Sequence, residues 1–199
     1  MLSVYLLRHG ETQYNADGNR YCGRTDIPLT DKGIAQAQAV RLQLQGRKLD
    51  AVYSSPLKRA NETAKIASGN NLVIADQRLI EIDFGTWEGK RREEFVAENP
   101  TLWNNWSEDP AHAAAGGTGE NATQVVERVG SFFAEMQQKY KEGTILVVGH
   151  NGINRLFMAH KLGMPLKNYR RIVQHNSSLT FFQLDENGEF TLEKLNTTS

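Results

Sequence analysis

The chain has a single cysteine, Cys22, among 199 residues. That excludes an intramolecular disulfide framework and a cysteine-rich zinc site, and it fits a reducing cytoplasm as the location. An excess of charge of one sign is also missing: Lys plus Arg and Asp plus Glu both number 23, for a formal net charge of zero. Dedicated nucleic-acid binders carry a basic footprint, so nucleic acid is not an expected partner. A small anion remains one, because a pocket needs few local cations. Long apolar runs are absent as well. The N-terminal run meets Arg8 after Leu7, too short for the core of a signal peptide or for a membrane span. A soluble protein without a membrane partner is expected. No repeat, low-complexity tract or linker interrupts the chain, and its length suits one core, so one domain over 1–199 is expected.

What is present is an alternation of strand-like and helix-like segments. Val4 to Leu7, Ala51 to Ser54, Leu72 to Ala75 and Ile145 to Val148 read as strands. Between them, Thr30 offers an N-cap to an Ala- and Gln-rich helix that Gly46 stops. Pro56 opens a second helix closed by Gly69. Val125, Val126, Val129, Phe132, Phe133 and Met136 mark the apolar face of a helix from Asn121 to Tyr140, and a further helix runs from Ile153 to Lys161. Ser178 to Leu184 and Glu189 to Leu195 form a terminal hairpin. Residues 82–119 loosen the pattern and read as an insertion or lid with one helix, Arg91 to Glu98. The fold class this predicts is α/β, a three-layer sandwich with a mainly parallel central sheet and helices on both faces.

Active sites in such sheets lie beyond the carboxyl ends of the strands. The predicted strands end in polar groups: Arg8-His9-Gly10-Glu11-Thr12 after the first, Ser54-Ser55 and then Arg59 after the second, Glu81 beyond the third, and His150 after the fourth. Two arginines, two histidines and a glutamate would converge at one sheet edge. Cations gathered there suit a doubly charged phosphate, and arginine offers its oxygens a planar fork. Glu88, Asp83 and Glu11 stand near enough to rival Glu81. His112, in an Ala-Gly-rich loop, and His160, late in a helix, lack a comparable setting. His175, read as the end of an apolar strand, lies close to the same edge. Trp87, Trp103 and Trp106 read as packing residues rather than ligand stackers.

Arg8-His9-Gly10-Glu11-Thr12 resembles the signature of the histidine phosphatase superfamily, which includes the cofactor-dependent phosphoglycerate mutases. The resemblance continues in order through Asn15, through Tyr21-Cys22-Gly23-Arg24-Thr25-Asp26-Ile27-Pro28-Leu29-Thr30, and through Ser54-Ser55-Pro56-Leu57-Lys58-Arg59-Ala60. It then takes in Leu79 to Gly89 around Glu81, and Val148-Gly149-His150-Asn151-Gly152. It spans nearly the whole chain, and its separate motifs reinforce one another.

The resemblance implies a phosphomonoesterase that forms a phosphohistidine on His9 and acts on a small phosphorylated metabolite. Arg8, Arg59 and His150 would hold the phosphoryl oxygens, with Asn15 as a neutral donor and Asn151, Gly23 and Arg24 lining the substrate side. Glu81 would protonate the leaving oxygen and then activate water. Gly10 would offer His9 a backbone acceptor that fixes its tautomer. With the charge supplied by side chains, neither metal nor cofactor is called for. One departure is Asn151, since relatives commonly carry a small residue, often Gly, after the second histidine. Mutases of the family tend to have a longer insertion and a closing C-terminal tail that exclude water. Glu81 to His150 spans 69 positions here (150 minus 81), which favours hydrolysis over mutase chemistry. The loop from Tyr21 to Thr30 is similar to that of α-ribazole phosphatases, and also to those of broad-specificity and phosphoserine phosphatases. An inactive phosphate-binding relative has no need of both nucleophile and acid. Oligomeric state is left open, a homodimer among the options.

Overall fold

The computed structural model describes residues 1–70 and 72–198. Strand β1 is Leu2–Arg8, followed by a one-turn helix α1 (Gln13–Ala16) and by α2 (Asp31–Gln43), whose N-cap Thr30 accepts from the Gly33 amide. Next come β2 (Ala51–Ser54), α3 (Lys58–Ser68) and β3 (Ile74–Ala75). Helices α4 (Arg92–Glu98) and α5 (Pro100–Glu108) precede the long α6 (Ala122–Lys139). Strand β4 (Thr144–Gly149) runs into α7 (Asn151–Lys161), and β5 (Leu179–Leu184) and β6 (Phe190–Thr197) close the chain as a hairpin.

Among the described residues the strands form one six-stranded sheet in the order β3-β2-β4-β1-β5-β6. The first four are parallel, and the hairpin adds antiparallel pairings. Successive residues of a strand face opposite ways, and β4 uses both faces. Ile145 and Val147 join a core with Phe132, Phe133 and Met136 of α6 and Phe157 of α7. Leu146 and Val148 pack with Val40 of α2 and Ala60, Ala64 and Ala67 of α3. Helices therefore cover both faces of a mainly parallel sheet, the expected three-layer arrangement. Burying a side chain such as Phe133 between two layers stabilises the fold by about 1.5–3 kcal/mol. No described helix is long and apolar enough to cross a membrane.

Three sequence expectations change. The third strand shrinks to Ile74–Ala75, pairs with β2 alone and is exposed, with Leu72 before it 81% accessible. It is an edge, not a buried strand. The stretch 82–119 holds two helices rather than one, because Pro100 starts α5 at its first position under the Asn99 cap instead of ending structure. Pro56 lies two residues ahead of α3, whose N-cap is Leu57. Trp87 and Trp106 are buried in an aromatic cluster with Tyr21, Phe84, Phe95 and Trp103.

Candidate active site

Parallel pairing aligns Arg8 of β1 with Gly149 of β4. The residues that follow each strand, His9 and His150, are thereby brought side by side, with ring centroids 5.1 Å apart. The His9 amide donates to the Gly149 carbonyl at 3.1 Å and ties the two strand ends together. Both imidazoles are buried. Their pKa values are held well below the ordinary histidine value, by burial first and then by the Arg59 charge. Both rings are therefore neutral near pH 7.

Their tautomers differ. Nδ1 of His9 lies 2.7 Å from the Gly10 carbonyl oxygen, an acceptor, so Nδ1 carries the proton and donates. Nε2 is left with a free lone pair. His150 is the mirror case. Its Nδ1 accepts from Arg59 Nε at 3.3 Å, so the proton sits on Nε2, which is buried without a protein partner. One ring presents a nucleophile and its neighbour presents a donor.

Arg59 is fully buried behind these rings. Its Nη1 donates to Thr25 O and its Nη2 to Cys22 O and Gly23 O, at 2.7, 3.2 and 2.8 Å. With the bond to His150, four of the five guanidinium N–H groups are occupied and one on Nη1 remains. Arg8 donates from Nη1 to Gln174 O at 2.7 Å, while its Nε is buried and unpartnered. Burial and the nearby Arg155 charge bring its pKa down to about 10, which leaves it a cation at neutral pH.

Glu81 is reached through Gln77–Leu79, a 3₁₀ turn that follows β3. Its Oε1 accepts from the amides of Ile82 (2.9 Å) and Ile153 (3.1 Å), and its Oε2 from Gly152 (2.9 Å). The carboxyl group is thus seated on the amides of the first turn of α7. Oε2, with one amide, keeps the greater spare capacity for a proton or water. Asn15 spends Oδ1 on Thr12 N, Thr12 Oγ1 and Asn176 Nδ2, at 3.1, 3.0 and 3.2 Å, so its Nδ2 is the group left for a ligand. The Asn151 Oδ1 is buried and unpartnered.

Arg8, His9, Asn15, Glu81 and Asn151 line one cavity of about 560 Å³. Arg59 and His150 are fully buried and adjoin it through the His9 ring. Gly23 and Arg24, expected on the substrate side, do not line it. The Gly23 amide donates to Glu88 and its carbonyl accepts from Arg59, while Arg24 pairs with Glu120. Their polar groups are consumed in holding the loop. Two rivals of Glu81 are engaged elsewhere: Glu88 accepts from Gly23 and Thr25, and Asp83 caps Gly85. Glu11 reaches the cavity rim but pairs with Lys32. His112 is exposed beside Asp109 and His160 is exposed late in α7. His175 rims the cavity from an irregular connection rather than a strand end. Sequence reasoning missed Arg155, Tyr169 and Arg170, which also line the cavity. Arg155 had a signal, since it lies four residues after Asn151 and so on the same helix face. The other two come from a 3₁₀ segment, Leu166–Arg171, with no periodic pattern. Among the described residues no three His, Cys, Asp or Glu side chains are grouped as metal ligands.

With this geometry in hand, residues 4–198 match the family model described as histidine phosphatase superfamily (branch 1). The chain belongs to the histidine phosphatase superfamily. Phosphoserine phosphatase 1 of Hydrogenobacter thermophilus is 36% identical over 200 residues, covering 100% of this chain and 93% of that one. Adenosylcobalamin/alpha-ribazole phosphatase of Escherichia coli is 36% identical over 172 residues, covering 82% and 81%. Among solved structures, a phosphoserine phosphatase mutant from Entamoeba histolytica in complex with phosphoserine superposes with a TM-score of 0.91 at 30% identity, covering 100% of this chain and 98% of that one. These histidine phosphatases hydrolyse small phosphate esters, and the mixed six-stranded sheet is theirs too.

Proposed function

We propose that this histidine phosphatase hydrolyses a small phosphomonoester through a phosphohistidine on His9. The observation that carries the reading is the opposite tautomers of two neutral, buried histidines whose rings are 5.1 Å apart. The His9 Nε2 lone pair attacks phosphorus and the ester P–O bond breaks. Glu81 gives its proton to the departing alkoxide. Water then attacks the phosphohistidine, Glu81 takes a proton from that water, and phosphate leaves His9 free again. Arg8, the spare N–H of Arg59, His150 Nε2–H and Asn15 Nδ2 offset the charge that develops on the equatorial oxygens. Asn151 borders the same space. Gly23 and Arg24 act at one remove, by holding the loop whose carbonyls orient Arg59. Residues 82–119 belong to the same domain and supply Phe84 as a cavity wall, with Tyr21 packed against it at 4.8 Å.

The test is turnover of p-nitrophenyl phosphate, with release of inorganic phosphate, by the wild type and by His9→Ala. The variant is expected to lose turnover, and alkaline-quenched mass spectrometry to find a phosphate adduct on His9 in the wild type alone. Substantial activity in His9→Ala would overturn the mechanism. Rapid isomerisation of 3-phosphoglycerate in the presence of 2,3-bisphosphoglycerate, without phosphate release, would replace hydrolysis by mutase chemistry.

A further inference from the structure

Part of the cavity wall carries positive charge that the phosphoryl reaction does not use. Arg155 projects from the second turn of α7, and its Nε donates to the Asn151 carbonyl at 3.0 Å. Among the described residues no acceptor takes its two Nη groups. Arg170 sits over Trp103 and Tyr169, with its Cζ 4.3 and 4.9 Å from the ring centroids, and its Nη2 is buried without a partner. The Arg155 Cζ sits 5.1 Å from the same Tyr169 ring. Two guanidinium groups thus share one aromatic ring. Among the described residues neither makes an ion pair, whereas Arg20 on the same cavity is neutralised by Asp17 and Glu94.

Cations held this way are expensive to keep half-buried without an anion. The ring quadrupole orients them and offsets part of that cost, but it supplies no acceptor for their N–H groups. Arg8 and the two histidines already receive the phosphate, so a second anion on the same substrate is what this wall fits. The free edge of Arg155 is a planar pair of Nη donors, matched by the two coplanar oxygens of a carboxylate. Arg155 follows Asn151, on the same cavity, by four residues, roughly 6 Å of helix rise, a distance on the scale of a two- or three-carbon skeleton.

We infer that Arg155 and Arg170 form a carboxylate subsite, so that the substrate is a short-chain phosphomonoester bearing a carboxylate. This rests on the phosphatase reading above and narrows it. Alcohol phosphates without an acid group, including nucleoside-type phosphates, are then poor substrates.

The experiment uses pairs of esters that differ in the carboxylate alone: O-phosphoserine against O-phosphoethanolamine, and 3-phosphoglycerate against glycerol 3-phosphate. The wild type should favour the acid of each pair in kcat/KM. Arg155→Met should lower that preference about 10- to 100-fold, the effect of deleting a charge-assisted hydrogen bond, mostly through KM. Arg170→Met should lower it in the same direction. Arg155→Lys should restore part of it, a point charge replacing a fork. A purely structural role would depress both members of a pair alike and leave the ratio unmoved, which would overturn the subsite. So would equal wild-type rates within each pair, or a preference for a bisphosphate without a carboxylate such as fructose 1,6-bisphosphate. In these outcomes hydrolysis itself continues, and the phosphatase reading stands. No turnover of any ester by the wild type would overturn both.

Discussion

His9 and His150 have the same ring and the same burial, and they differ in which partner Nδ1 meets. A carbonyl makes one ring a base at Nε2, and an arginine makes the other a donor there. If the His150 donor acts on the phosphoryl oxygens, His150→Ala should reduce kcat by about 10²–10³, as removal of an oxyanion donor does. His150→Gln, whose amide nitrogen reaches toward the position of Nε2, should recover part of that. Steady-state kinetics on p-nitrophenyl phosphate checks this, and a His150→Ala enzyme within tenfold of wild type would rule the donor out. At this scale much was legible in the sequence, because Arg8 ends one parallel strand, His9 and His150 directly follow two of them, and a strand end fixes where the next residue goes. Gly23 and Arg24 were misplaced for the opposite reason. Loop spacing does not say which way an amide or a side chain turns, and here Glu88 takes the Gly23 amide and Glu120 the Arg24 side chain. Arg170 was invisible because its position depends on stacking against Trp103, a contact between distant segments.

The first turn of α7 and the segment around Glu81 form one unit. The amides of Gly152 and Ile153 grip the carboxyl group, and a Cβ at Gly152 would come 2.6 Å from both Glu81 Oε1 and Ile82 Cδ1. Gly152→Ala must therefore push the acid away from the helix. Since a misplacement of about 1 Å can cost on the order of 10²-fold in rate, kcat should fall at least tenfold while the protein stays folded by circular dichroism. Wild-type kcat in Gly152→Ala would show that the position of Glu81 is not critical. This close approach was hidden in the sequence, where Gly152 reads as an ordinary residue near a helix start. Other elements were legible where periodicity was strong, as in α6 and β4. The failures fall where a single residue admits two readings. Pro100 fits both a helix stop and a helix start, and the Asn99 cap decided for the start. Leu72 to Ala75 has the composition of a buried strand, yet at the sheet edge only Val73 packs against the core, while Leu72 and Ile74 stay exposed.

The sheet places the two neutral histidines at the carboxyl ends of its two central strands, and their burial there couples the fold to pH. The alternation of elements foretold a mainly parallel sheet but not that β1 would sit beside β4, the pairing that brings His9 to His150. Burial lowers both pKa values in the folded state, whereas an unfolded histidine titrates near 6.5. Below that pH the unfolded chain binds protons that the folded chain refuses, so stability falls as pH falls. The loss begins near pH 6.5 and continues down to the depressed folded values. Each histidine contributes a slope of up to about 1.4 kcal/mol per pH unit. Carboxylates with depressed values, such as Glu120 and Asp76, act in the same direction at lower pH, where unfolded Asp and Glu take up protons. Urea unfolding between pH 7 and pH 5 isolates the histidine window. The midpoint should drop across it, and His150→Asn should flatten the slope by roughly one proton. A wild-type midpoint unchanged from pH 7 to pH 5 would mean that the rings are not held neutral. Catalysis should respond differently over the same range. A nucleophile that remains unprotonated does not itself limit kcat below pH 6.5 while the sheet stays assembled. A fall in kcat measured over that range on folded enzyme would therefore point to Glu81, whose base role needs the carboxylate, and not to His9.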